Sequence, residues 1–319
     1  MAYVPVPRKA ERKQCKLSLL INGFTGRGKS GLAMAMASVF AEGDWDKIHV
    51  NDTENKSLDL LVGTMMHIGK PYGQFQVYDL TEATGYKPEY YRATRDYAVK
   101  HKGLVYIGDS ITHMWTHRGG ILDMVDEAQA ENSSLNYWSA WKEPQIVKAK
   151  QDIMSIIRSA DIHCINTVRV KDKKELITNE DGKKEIRSLG MEEVTMPLLD
   201  YEPDLVLEMV RPGNMDGTSP LAKVVKSRYA ILKERESYEF NESLILQLKE
   251  YLEEGTSPEE LLERQRTDYL NAITDFLDNH PKEKQIWKII KSDLGCEGKK
   301  ITTMKLVDLK EGLLRLTSE

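Results

Sequence analysis

The segment Gly23–Ser30 has the residue types and the spacing of a phosphate-binding loop. It reads Gly-Phe-Thr-Gly-Arg-Gly-Lys-Ser, a complete GxxxxGK(S/T) pattern. Small residues let backbone N–H groups turn inward around a β-phosphate, and the N-terminus of a following helix adds a partial positive charge. Lys29 is placed to bridge the β- and γ-phosphates of ATP, and the Ser30 hydroxyl to bind Mg²⁺. The predicted nucleotide-binding residues are Gly23, Thr25, Gly26, Arg27, Gly28, Lys29, Ser30 and Gly31.

Two carboxylates follow short apolar runs downstream of this loop. The run Leu104–Ile107 leads to Asp109, an acid placed to hold the water shell of the metal. The run Lys47–Val50 leads to Glu54. Open α/β sheets bind ligands at the carboxyl ends of their strands, so Glu54 is placed to polarise a water for in-line attack on the γ-phosphorus. The alternatives are that Asp109 merely ends its strand and that Asp52 or Glu54 caps a helix.

The elements that must position these residues alternate along the chain. Between Lys16 and about Leu207, short β-type runs are separated by helical stretches, which predicts an α/β fold with a mostly parallel sheet and helices on both faces. The predicted strands are Leu17–Ile21, Lys47–Val50, Phe75–Leu80, Leu104–Ile107, Ile162–Val168 and Asp204–Val210, and the predicted helices include Gly31–Ala41, Lys87–His101 and Gln145–Ser159.

The composition divides the chain into three parts. Residues 1–15 are a basic lead-in, residues 16–240 form the α/β core, and residues 241–319 are strongly helical and form a small domain or tail. The sequence from Ser257 to Glu260 is a capping box with proline at the first helical position, so a helix should start there.

Overall composition excludes several classes of protein. Among 319 residues, 40% are hydrophobic and 30% charged, which excludes a wholly disordered chain. A net charge of −5 excludes a globally basic nucleic-acid binder, although not a local basic groove. The three isolated cysteines predict a reduced compartment, and the lack of a long apolar run predicts no membrane span. We therefore expect a cytoplasmic protein.

Three of these motifs together resemble the RecA-like ATPase core. The loop Gly23–Ser30, the strand ending in Asp52-Thr53-Glu54 and the pair Asp109-Ser110 are similar to that family's Walker A, catalytic glutamate and Walker B positions. The stretch from Ile165 to Lys171 is similar to the fourth core strand, which leads into the family's mobile DNA-binding loop. The resemblance puts Thr167 at the position of the γ-phosphate sensor, where the family usually has glutamine or sometimes histidine.

A narrower resemblance covers residues 15–230. Arg169, the Gly190-Met191 pair, the sequence from Tyr201 to Asp204 and the Lys226-Ser227-Arg228 triplet look like a bacteriophage group of AAA-family ATP-binding proteins, related to phage RecA-like single-strand-annealing recombinases. The group's usual Tyr-Glu-Phe-Asp reads Tyr-Glu-Pro-Asp here. The resemblance implies ATP and Mg²⁺ as ligands and a homo-oligomeric ring or filament. In it, Lys226 and Arg228 would reach the γ-phosphate of the neighbouring subunit; a solvated strand end is the alternative.

The same resemblance implies a nucleic-acid partner, and single-stranded DNA is expected. Residues 171–193 read as a mobile hairpin or loop, with six basic and seven acidic residues around an Asn-Glu-Asp-Gly turn at 179–182. Because acids outnumber bases, DNA binding needs the basic side chains turned one way, and a solvated hairpin is the alternative. The DNA-binding candidates are Arg169, Lys171, Lys173, Lys174, Lys183, Lys184 and Arg187.

The expected function is DNA-dependent hydrolysis of ATP to ADP and phosphate in phage recombination or replication. The helical C-terminal region is then a candidate docking site for a single-strand-binding protein or another replication partner. Three alternatives stay open at this stage: a DNA-binding or annealing protein that uses ATP only as a switch, a nucleotide kinase, and a RecA-fold helicase.

Overall fold

A computed structural model describes residues 9–54, 56–132, 134–158, 161–178, 184–214 and 217–317; for residues 173–178 and 184–191 it describes the backbone alone. The predicted turn at 179–182 lies outside the described residues. The chain forms two compact units. One runs from Cys15 to Leu252, and the other joins the N-terminal segment up to Gln14 with the chain from Glu253 onwards.

The larger unit is built on a nine-stranded, mostly parallel sheet. Its strands are β1 Ser18–Gly23, β2 Ile48–Asp52, β3 Gln76–Asp79, β4 Val105–Asp109, β5 His163–Thr178, β6 Lys184–Glu193, β7 Leu205–Arg211, β8 Leu221–Ser227 and β9 Ser237–Glu239. Their order is β3-β2-β4-β5-β1-β7-β8-β9, and β6 pairs with β5 alone. The first six strands in this order are parallel, whereas β8 and β9 are antiparallel additions and β6 forms an antiparallel hairpin with β5.

Helices cover both faces of the sheet. Successive residues of a central strand therefore point into two different apolar clusters. On β1, Leu19 and Ile21 belong to one apolar cluster and Leu20 to the other. The helices of this unit are α1 Lys29–Phe40, α2 Pro88–Lys100, α3 His113–Thr116, α4 Ile121–Glu131, α5 Tyr137–Ala140, α6 Pro144–Ile157 and α7 Glu242–Glu253. Helices α1 and α7 contribute to the first cluster, and α2, α4 and α6 to the second. The prediction of an α/β fold with a mostly parallel sheet is thus confirmed.

The core extends further along the chain than the predicted boundary at residue 240. Ile245, Leu248 and Leu252 of α7 are fully or almost fully buried in the same cluster as the β1 and α1 side chains. A helix whose apolar face is buried in this way belongs to the unit that covers it. The division therefore falls after Leu252, at the end of α7.

The smaller unit contains three helices in its described part, α8 Pro258–Asn279, α9 Lys284–Asp293 and α10 Leu306–Leu316. Helix α8 begins where the capping box predicts, with the Ser257 hydroxyl accepting the Glu260 N–H at 3.1 Å. The three helices enclose a separate apolar core around Ile273, Trp287 and Leu309. No helix among the described residues of either unit is both long enough and apolar enough to span a membrane.

The buried His163 connects the start of β5 to the residue that precedes β1, and its burial makes the stability of the folded protein depend on pH. His163 accepts the Leu17 N–H on Nδ1 at 2.9 Å and packs 4.7 Å from the Phe40 ring. Burial lowers the pKa of His163 from 6.5 to about 3, because a charged imidazole loses its hydration there.

The unfolded chain therefore takes up a proton at His163 before the folded chain does. The contribution of this residue to the free energy of unfolding is complete above pH 6.5 and decreases as the pH falls towards about 3. We predict that His163→Asn, which keeps an acceptor near the Nδ1 position, reduces the loss of stability on acidification. The check is urea unfolding from about pH 7 to about pH 4. The exposed His101→Asn is the control, and the prediction is wrong if both variants have the same pH slope as the wild type.

Candidate phosphate-binding site

The loop between β1 and α1 has the backbone conformation that the glycine-rich pattern requires. Gly26 and Gly28 have φ angles of 78° and 81°, in the left-handed region that L-residues avoid. A Cβ on Gly28 would lie 2.9 Å from the Pro212 Cβ, because the segment after β7 packs against the loop. Gly28 also precedes α1 without a capping side chain, so the first N–H groups of the helix are not capped by it.

Lys29 lies inside this loop. Its ammonium donates hydrogen bonds to the carbonyl oxygens of Gly23 at 2.9 Å and Phe24 at 3.2 Å, and the residue is only 7% exposed. Burial lowers the pKa of Lys29, whereas the nearby charges of Glu54 and Asp109 raise it. The loop therefore holds a partly desolvated cation with two carboxylates in electrostatic range, an arrangement suited to an anionic ligand.

Asp109, at the end of β4, is the most deeply buried carboxylate of the site. Its Oδ1 accepts a hydrogen bond from the Thr167 hydroxyl, and its Oδ2 is buried without a hydrogen-bond partner. Burial raises the pKa of Asp109, and the hydroxyl groups of Ser30 and Thr167 lower it. A buried carboxylate oxygen with no partner is expensive unless a cation or donor joins it, so the donor set of Asp109 and Ser30 fits a hard divalent cation.

The sheet order explains why Thr167 is at this site. Strand β5 lies between β1 and β4, so its residues face the loop on one side and Asp109 on the other. Thr167 pairs in register with Ile21 of β1 and is fully buried. The predicted sensor hydroxyl is therefore already bonded to Asp109.

Glu54 lies at the same edge of the sheet and is held by an arginine. The Arg169 Nε and Nη2 atoms approach Glu54 Oε1 at 3.0 and 2.9 Å, and the Glu54 N–H donates to Asp52 Oδ1 at 2.7 Å. Arg169 follows Thr167 by two residues on β5 and pairs in register with Gly23. Although the sequence made Arg169 a DNA-binding candidate, the structure places its guanidinium beside the predicted catalytic acid. That contact was not predicted.

A polar network behind these acids fixes the ends of β2 and β4. The Thr53 hydroxyl accepts the Ser110 N–H at 2.8 Å and lies 2.6 Å from His113 Nδ1. Burial, and then the charge of His117, lower the pKa of His113 to about 4, so the ring is neutral near neutral pH. Thr53 was not singled out in the sequence. Its position between the two acids of the Asp-Thr-Glu motif is the signal that could have identified it.

Three further predicted residues lie in the loop or at the start of the helix that follows it. Thr25 is exposed at the turn, and the Arg27 Nη1 donates to the Val210 carbonyl oxygen at 3.0 Å. Gly31 belongs to the first turn of α1, where a Cβ would lie 3.7 Å from the Tyr72 hydroxyl. The structure thus brings Lys29, Glu54, Asp109 and Thr167 together with the loop.

Lys226 and Arg228 lie elsewhere, at the end of β8, and β7 separates this strand from β1. The Arg228 Nη1 is 2.7 Å from Asp204 Oδ1, and the Lys226 ammonium donates to the Asp200 carbonyl oxygen at 3.2 Å. Burial and the charge of Arg228 lower the pKa of Lys226. These residues have partners within their own chain, and their action on a neighbouring subunit stays a prediction.

The hairpin residues proposed to bind DNA are described only at its base. Lys171 on β5 lies opposite Glu192 on β6, with 3.4 Å between Nζ and Oε2. Only the backbone is described for Lys173, Lys174, Lys184 and Arg187, and Lys183 lies outside the described residues. DNA binding by this set therefore stays a prediction.

Comparison with known proteins adds nothing to this geometry. No model of a protein family matches the chain, and no curated protein matches it. The residues of the site itself are therefore the basis for assigning a function to this chain.

The two left-handed glycines of the loop allow a matched test of its packing. We predict that Gly26→Ala destabilises the protein by about 1–2 kcal/mol, the strain of a left-handed alanine. Gly28→Ala carries the same strain plus the 2.9 Å approach to Pro212, whereas a Cβ on Gly26 meets nothing within 4 Å. We expect Gly28→Ala to be more destabilising by about 1–3 kcal/mol. Urea unfolding of the ligand-free protein is the measurement, and equal losses would contradict the packing of Pro212 on the loop.

Proposed function

We propose that this chain is a Mg²⁺-dependent ATPase with a RecA-like core that acts on DNA. The observation that carries the proposal is the convergence of Lys29, Asp109 and Glu54 at the carboxyl ends of three parallel strands, around a loop of phosphate-binding conformation. A cation, a metal-binding acid and a candidate base are the groups that phosphoryl transfer to water requires.

The ligands are assigned from the chemistry of the residues. The backbone N–H groups of the loop and the Lys29 ammonium would bind the phosphates. Ser30 and Asp109 would hold Mg²⁺, consistent with the buried, unpartnered Oδ2 of Asp109. Among the described residues no three histidine, cysteine or acidic side chains form a metal cage, so the phosphates would complete the coordination. When bound, Mg²⁺ neutralises the charge that develops on the phosphate oxygens.

Glu54 is the proposed general base. It lies in electrostatic range of Lys29, and its side chain is 28% exposed, so the residue is accessible to water. A carboxylate in this position can orient and deprotonate a water for attack on the γ-phosphorus. This placement favours hydrolysis over transfer to a second small molecule.

The RecA-like assignment, and the relation to the phage AAA-family group, follow from the resemblance in sequence. Two structural features support them. The strand that carries Thr167 lies beside the loop strand, and it continues past Arg169 into an antiparallel pairing with β6, the segment that the resemblance would make a DNA-binding loop. We therefore propose single-stranded DNA as the partner of the hairpin and head-to-tail assembly as the active form.

A second candidate function is supported by the ion pair of Glu54 with Arg169. A base that is held by a cation is not available to activate water until that cation moves. If it stays held, ATP acts only as a switch for a DNA-binding or annealing protein, with little turnover.

The first test is ATP hydrolysis by the purified protein at low salt, with and without single-stranded DNA. We predict DNA-stimulated turnover that falls roughly a hundredfold or more in Lys29→Ala. Lys100→Ala, which removes an exposed lysine at the end of α2, is the control and should match the wild type. A slow rate that does not respond to DNA would favour the switch, and a rate unaffected by Lys29→Ala would refute the site.

Arg228 allows a test of assembly. We predict that Arg228→Ala keeps ATP binding and loses turnover roughly 10³-fold, because an arginine supplied to a neighbouring site stabilises transition-state charge. Asp204→Ala breaks the same ion pair but leaves the arginine, and it should retain turnover. Mixing Arg228→Ala with Lys29→Ala should restore part of the activity, since mixed oligomers contain intact composite sites. Unchanged turnover in assembled Arg228→Ala would overturn the role in trans.

A further inference from the structure

Arg169 is held in place both through its backbone and through its guanidinium. Its own peptide N–H donates to the Thr112 hydroxyl at 2.9 Å, which anchors the backbone of β5 beside the turn after β4. Its Nε and Nη2 both point at Glu54 Oε1, at 3.0 and 2.9 Å. The Nε N–H therefore donates a hydrogen bond to this carboxylate oxygen, and the Nη2 nitrogen lies within ion-pair distance of the same oxygen.

This ion pair lies beside the cation of the phosphate loop. The Lys29 ammonium is influenced electrostatically by both members: the negative charge of Glu54 raises its pKa, and the positive charge of Arg169 lowers it. Arg169 also pairs in register with Gly23, the first residue of the loop. The Glu54 carboxylate is thus paired with one positive group and in electrostatic range of a second, and a phosphate at Lys29 would compete with Glu54 for the arginine.

We propose that Arg169 detects the terminal phosphate of the nucleotide. It holds Glu54 while the site contains no γ-phosphate, and it exchanges that carboxylate for the γ-phosphate when ATP binds, which frees Glu54 to orient water. The inference rests on the proposed function of this site. It gives Arg169 the sensing role that the sequence resemblance gave to Thr167, whose hydroxyl is instead bonded to Asp109.

The exchange connects the nucleotide to the hairpin. Arg169 lies on β5 just before the hairpin, and on the returning strand Glu193 accepts a hydrogen bond from the Asn22 amide, one residue before Gly23. At the base of the hairpin, β5 therefore contacts Glu54 through Arg169, and β6 contacts β1, the strand that enters the phosphate-binding loop, through Glu193. A movement of the Arg169 side chain acts at the point where the hairpin leaves the sheet.

The test measures equilibrium binding of ADP and of a non-hydrolysable ATP analogue with an imido bridge between the β- and γ-phosphates. We expect Arg169→Ala to weaken analogue binding roughly tenfold and to change ADP binding by less than about twofold, the loss expected for one charge-assisted contact to the γ-phosphate. Arg169→Lys, which keeps the charge without the fork, should lie between the two proteins. Arg158→Ala removes an exposed arginine that is also paired with a glutamate, Glu202, and is the matched control.

A double-mutant cycle with Glu54→Gln separates sensing from simple charge neutralisation. If Arg169 transfers to the phosphate, Glu54→Gln strengthens analogue binding when Arg169 is present, and the gain becomes smaller in Arg169→Ala. If Arg169 only neutralises Glu54, the gain is larger in Arg169→Ala, where an unpaired carboxylate repels the phosphate. An equal gain in both backgrounds also overturns the proposal.

Failure of the proposed function has a different outcome. In that case the wild-type protein binds neither nucleotide, or it binds ADP and the analogue no more tightly than Lys29→Ala does. Normal Lys29-dependent binding of both nucleotides, with no selective loss in Arg169→Ala or Arg169→Lys, would refute the sensing role alone.

Discussion

Burial of opposite charges at one edge of a parallel sheet is the constraint on which this site depends. Asp109 is almost completely buried and Lys29 nearly so, and burial disfavours the charged form of each. Neither forms a direct ion pair with the other within the described structure. The lysine bonds to loop carbonyls, and the aspartate to the Thr167 hydroxyl. Buried titratable groups with shifted pKa values cluster at functional sites, which favours a role for this lysine and this aspartate in binding a charged ligand.

The order of the strands determines which residues lie next to these buried charges. Strand β1 supplies the loop, β4 supplies Asp109, and β5 passes between them. Residues near the carboxyl end of β5 whose side chains point to the side of the loop can therefore reach both. Thr167 and Arg169, two residues apart on one strand and so on one side of it, contact Asp109 and Glu54 respectively. The position of β5 between β4 and β1 accounts for both contacts.

Local pattern was enough to predict the elements and the loop but not these contacts. Continuous apolar runs identified the six parallel strands, and the glycine-lysine spacing identified the loop, because both depend on neighbours in the sequence. The pairing of Arg169 with Glu54 joins residues 115 positions apart, and it depends on strand order, which no periodicity encodes.

The extension of the α/β core through α7 was missed for a similar reason. The helical composition after residue 240 marks a change of element, whereas the burial of Leu248 is a matter of tertiary packing.

The charge balance of the site also bears on how the proposed hydrolysis and the proposed DNA binding would be connected. Arg169 and Lys29 face Glu54 and Asp109, so two cations and two anions are present before any ligand arrives. A nucleotide phosphate disturbs this balance at the cations, and Arg169 is the one attached to the base of the hairpin. At that base Lys171 already faces Glu192, so the charge of this lysine is partly balanced before any DNA binds. A hairpin that carries nearly equal numbers of acids and bases is poorly suited to permanent DNA binding. Binding that depends on strand geometry would suit it better, and the residue best placed to change that geometry is Arg169, which holds the predicted catalytic acid.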